Sequence, residues 1–159
     1  MMTKSMNWFV VALTFVAAMM LELVALPDML SPFRPEWLVL TQIYWLLRRP
    51  DRVGIASAFV IGIVMDVLTG SYFGVHSLAL CIVSYLVLGI HKRFRMFPMA
   101  KQAFVIFVLS GIQLLIVYAM RAALSVADNG FDYLWQAIIS ALVWPILVIV
   151  YDRLAFTFR

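Results

Sequence analysis

The stretch VGIASAFVIGIVMDVLTG, residues 53–70, decides the fold. A helix needs about 20 mostly apolar residues to cross the hydrocarbon core of a bilayer, and this run has that length with a single charge, Asp66. Within it Gly54, Ala58, Gly62, Asp66 and Gly70 recur every four residues. Small residues at this spacing share a slowly drifting helix face and let two helix backbones approach closely in lipid. The ordinary reading of the strip is helix packing, and the sharper one is a face that binds a partner protein. Asp66 asks for more, because a carboxylate at this depth costs about 2.5–3.5 kcal/mol on insertion scales and normally faces protein or a wet cavity.

Working outward, five further apolar segments flank the first, giving expected spans at about 8–26, 35–47, 53–70, 73–90, 103–120 and 133–151. Five are long enough to cross. The segment at 35–47 is short, with only eleven uncharged residues between Glu36 and Arg48. Pro35 can begin its helix, and Arg48 and Arg49 can reach towards the headgroups. The connections alternate in charge. With both termini on the cytoplasmic side, ten of the twelve Lys and Arg residues face inward, a strong positive-inside bias. The inward loops carry Arg48, Arg49 and Arg52, then Lys92, Arg93, Arg95 and Lys101. A five-span arrangement with the 35–47 segment not crossing gives the same split, since Lys4 and Arg34 exchange sides. Both place the carboxyl terminus in the cytoplasm, and six spans is the arrangement adopted here.

Composition agrees with a chain solvated by lipid. Of 159 residues 65% are hydrophobic and 13% charged, against about 45–50% and about 25% in soluble domains. The net charge of +4 sits in short clusters between apolar runs, which fits membrane orientation better than nucleic-acid binding. One cysteine, Cys81, permits no internal disulfide and no cysteine metal site. The first segment is expected to stay uncleaved, because it exceeds a usual signal core and has no small-x-small site after it. A single integral-membrane domain, residues 1–159, is the expected organisation.

By depth alone, Glu22, Arg34, Asp66 and His76 fall at a similar level near the outer surface. They would form one polar cluster, with Arg34 neutralising one carboxylate and His76 bonding another. Three readings stay open: a buried network that fixes packing, a ligand pocket or proton path, and a docking site. Enzymatic readings lack support, since His76 and His91 belong on opposite faces, no metal-ligand spacing occurs, and there is no phosphate loop or nucleophile elbow. Neither metal nor cofactor is expected. The basic loop around Lys92 reads as an orientation signal that touches anionic lipid, with a cytoskeletal contact as the alternative.

The runs FRPEWLVLTQIYW at 33–45 and RRPDRVGIASAFVIGIVMDVLTGSYFGVHSLAL at 48–80 resemble the central region of the MreD family of rod shape-determining proteins. The specific part is GIVMDVLTGSYFG at 62–74, preceded by the FRPEW helix start. The resemblance implies a non-enzymatic scaffold of the cell elongation machinery in the bacterial inner membrane. It implies association with MreC and, through the complex, with MreB, RodA and the elongation-specific penicillin-binding transpeptidase that makes lateral peptidoglycan. It also implies an all-α bundle similar to the six-helix substrate-binding subunits of energy-coupling-factor transporters. That second likeness gives the alternative function, a small-molecule-binding or transport-related protein with an outward-facing pocket.

Overall fold

A computed structural model describes residues 8–125 and 132–157; Lys4, Arg159 and the 126–131 part of the last acidic loop lie outside the described residues. Among the described residues six α-helices follow one another: α1 (Trp8–Leu23), α2 (Trp37–Arg48), α3 (Ile55–Thr69), α4 (Val75–Phe94), α5 (Met99–Ala123) and α6 (Asp132–Thr157). A single 3₁₀ turn, Ser31–Phe33, precedes α2, and no strand occurs among the described residues. The protein is an all-α helical membrane bundle.

Three helices, Val75–Phe94, Met99–Ala123 and Asp132–Phe156, are long and apolar enough to cross a membrane alone. The sequence suggested five such segments. In α1 and α3 the helix stops short, at 16 and 15 residues, or about 24 and 22 Å of rise. Gly54, in extended backbone, starts α3, and Gly70 ends it at φ +63°, a left-handed conformation that releases the chain from the helix. The later helices instead outrun their apolar cores. α4 continues through His91, Lys92 and Arg93 to Phe94, and Pro98 then sits just before α5, where a missing N–H does no harm. Pro145 lies inside α6, where it removes one helical hydrogen bond.

The short α2, 12 residues and about 18 Å long, is the centre of the molecule rather than a helix in lipid. Every residue from Leu38 to Leu47 is buried. Its polar side chains tie it to three neighbours: Trp45 Nε1 donates to Thr14 of α1 at 2.8 Å, Gln42 Nε2 to Ser84 of α4 at 3.1 Å, and Thr41 meets Tyr151 of α6 at 2.9 Å. A sequence with Thr, Gln, Tyr and Trp in one short helix is intelligible only inside protein, where each of these side chains makes at least one hydrogen bond, although Gln42 Oε1 is left unpaired. Around α2, α3 packs on α4, α4 on α5 and α5 on α6. The outer surface is apolar, with Phe9, Phe104, Leu115, Leu142 and Ile146 each at least 60% exposed. Such a surface matches lipid.

Alternate helices run in opposite directions. The ends of α1, α3 and α5 meet the starts of α2, α4 and α6 around one cavity. At the other end Arg48 binds the carboxylate of Asp152 at 2.5 and 2.6 Å, Tyr44 donates to the same carboxylate at 2.6 Å, and the Arg52 guanidinium lies 5.7 Å from the centre of the Trp8 ring. The basic residues Arg48, Arg49, Arg52, Lys92, Arg93, Arg95 and Lys101 therefore belong to the end of the bundle opposite the cavity.

Candidate functional site

The small-residue strip of α3 is used inside the molecule. Ala58, Gly62 and Asp66 are buried, and a Cβ on Gly62 would overlap the Cα of Ser77 and come within 2.6 Å of its backbone nitrogen. The middle of the strip is thus the contact that lets α3 and α4 touch backbone to backbone, the helix-packing use of such spacing. Gly54 and Gly70 lie at the helix ends, where nothing stands within 4 Å of an added Cβ.

Asp66 is fully buried and acts as a cap for the neighbouring helix. Its Oδ2 accepts from the backbone N–H of Gly74 at 2.9 Å, and its Oδ1 from the N–H of His76 at 3.0 Å. The His76 ring meets Oδ1 through Nδ1 at 2.8 Å, Ser71 donates to Oδ1 at 3.1 Å, and Ser77 donates to Oδ2 at 3.4 Å. The first turn of a helix exposes unpaired N–H groups and a partial positive charge, and a carboxylate satisfies both. Gly74, at φ +100°, turns the chain so that these groups face Asp66. Thus GIVMDVLTGSYFG is one device: close packing at Gly62, a cap at Asp66, and two left-handed glycines that fold α4 back onto α3.

The four residues expected to cluster divide in two. Asp66 and His76 pair, but among the described residues Arg34 forms no ion pair with Glu22 or Asp66; its Nη2 donates to the carbonyl of Leu21 at 3.2 Å. Asp66 is sealed beneath the α3–α4 turn, whereas Glu22, Arg34 and His76 line the cavity. Depth along the helix brings residues to one level; it does not say which face they occupy.

The cavity has a volume of about 300 Å³ and lies over the start of α2. Its lining mixes three acids, Glu22, Glu36 and Asp132, with Arg34, Arg121 and His76 and with the amides of Gln113 and Gln136. Glu22 Oε2 accepts from the Leu38 N–H of α2 at a long 3.5 Å, so one carboxylate already serves the free donors of that helix. Glu36 sits immediately before α2, only 8% exposed, with its N–H donating to Ser140 at 3.0 Å. Its Oε2 has no hydrogen-bond partner, nor does Oε1 of Gln113, which is 2% exposed, nor Nε of Arg34. Each buried polar atom left unpaired costs about 1–3 kcal/mol, and more when charged. Sequence reasoning passed over Glu36 as part of a helix start. It also passed over Gln113, although an amide within an otherwise apolar span is a signal of the same kind as Asp66.

Comparison with known proteins identifies the family. A family model described as rod shape-determining protein MreD matches residues 2–154. The rod shape-determining protein MreD of Haemophilus influenzae is 30% identical over 140 residues, covering 88% of this chain and 86% of that one. No solved structure matches. A match over nearly the whole chain, carried through the helical bundle and the α3–α4 device, places this protein in the MreD family of rod shape-determining proteins.

Proposed function

We propose that the protein is a non-enzymatic scaffold of the bacterial cell elongation complex, crossing the inner membrane six times with both termini in the cytoplasm. Family membership over residues 2–154 is the observation that carries the role in cell shape. The alternating helix directions, with the basic loops gathered at one end, support the orientation through the positive-inside rule. The short α1, α2 and α3 cross as parts of a packed bundle. MreC is the direct partner; MreB, RodA and the elongation-specific transpeptidase join through the complex. Because α4 packs against Gly62, MreC is expected to bind surfaces away from that contact.

Controlled depletion in the native cell tests the role. Rods should widen and become round, and a wild-type copy should restore them, while MreC should co-purify with tagged protein from membranes. Cells that keep their width through depletion would refute the scaffold reading.

A further inference from the structure

The cavity holds an unbalanced set of polar atoms once every visible partner is assigned. Glu22 takes an N–H of α2, and Asp66 is satisfied by Gly74, His76, Ser71 and Ser77. Glu36 Oε2 and Gln113 Oε1 are left as buried acceptors, Arg34 Nε as a buried donor, and the buried Ser110 hydroxyl beside Glu36 as the one neutral group able to donate to it. Arg121 adds a second cation to a lining that also holds the acids Glu22 and Asp132. Two acceptors, one of them a carboxylate oxygen, call for a positively charged group with several N–H donors. The arginines call for an anion on the same ligand.

We propose that the cavity binds a small zwitterion, its primary ammonium on Glu36 and Gln113 and its oxyanion on Arg34 and Arg121. A volume of about 300 Å³ falls at the small end of ligand pockets and accepts a headgroup-sized molecule. The chemistry is that of an aminophosphate, reaching the site either free or as the headgroup of an aminophospholipid. This inference is independent of the scaffold role, and either can fail alone.

The test uses the full chain, purified and delipidated in detergent, titrated by native mass spectrometry with dioctanoyl phosphatidylethanolamine and with the phosphatidylcholine of the same chains. The two share charge and tails but only the first has N–H donors. Wild-type protein should prefer phosphatidylethanolamine about tenfold or more, and Glu36→Gln should abolish the preference while remaining monodisperse. Should that variant not fold, the wild-type comparison decides. Competition by free O-phosphoethanolamine identifies the soluble molecule as sufficient, and its failure to compete identifies the lipid; both support the site. Equal binding of the two lipids, or binding of neither them nor O-phosphoethanolamine, overturns it and leaves a cavity filled by water.

Discussion

Replacing Asp66 by Asn tests whether one buried carboxylate holds α3 and α4 together. The two oxygens serve different donors: Oδ1 takes the His76 N–H, the His76 ring and Ser71, and Oδ2 takes the Gly74 N–H and Ser77. Asn keeps one acceptor and puts an NH₂ in place of the other. If the amide oxygen stays with the His76 group, the NH₂ meets the Gly74 N–H at the 2.9 Å now spanned by a hydrogen bond, donor against donor. Leaving that N–H unpaired costs about 1–3 kcal/mol, and the lost charge removes the charge-assisted part of the other bonds. The expected destabilisation is about 2–4 kcal/mol, read as a shift in the midpoint of SDS-titrated unfolding in mixed micelles. Asp66→Ala should cost more, and Ser77→Ala, which removes the longest of these bonds at 3.4 Å, less than about 1 kcal/mol. An Asn variant within about 0.5 kcal/mol of wild type would refute the capping argument, because an amide keeps an acceptor at only one of the two positions that the carboxylate oxygens now hold.

Other positions give sharper contrasts. Gly62→Ala forces α3 from α4 at Ser77 and should cost about 1–3 kcal/mol, whereas Gly54→Ala, with nothing within 4 Å, should fall within about 0.5 kcal/mol in the same titration. Arg48→Ala removes an ion pair whose side chains are 44% and 43% exposed, so at most about 1 kcal/mol is expected after solvent screening, and the loss should shrink in high salt. For orientation, in a Cys81→Ser background, a cysteine at Met96, 85% exposed, should react with a membrane-impermeant maleimide only after the cytoplasmic face is opened. One at Phe73, 78% exposed, should react in intact spheroplasts. The reverse pattern would invert the proposed topology.

Much of the fold was legible because lipid is a strict solvent: it demands apolar runs of helix length and a basic bias on one side, and both can be counted along the chain. What could not be counted was neighbourhood. The strip from Gly54 to Gly70 has the same spacing whether it meets α4 or another protein, and only the overlap at Ser77 assigns it. Glu22, Arg34, Asp66 and His76 share a depth, but α3 turns Asp66 towards the α4 start while the other three face the cavity. Glu36 lies at a helix start and Gln113 carries no charge, so neither stands out along the chain; their significance lies in the partners they lack.

The doubtful second segment explains the cavity. α2 runs beside α6 in the same direction, as the bonds from Glu36 to Ser140, Thr41 to Tyr151 and Arg48 to Asp152 require. Yet it has 12 residues against the 26 of α6, about 18 Å against about 39 Å. Anchored by Arg48 at the basic end, it cannot reach the other, and the chain arrives there through the 3₁₀ turn at Ser31–Phe33. The missing length is the space over Glu36. A segment too short to be convincing as a span is therefore what a bundle needs when it keeps a polar chamber between its helices. Lengthening α2 by one turn ahead of Glu36 should fill that chamber, and with it remove any preference for an amine headgroup.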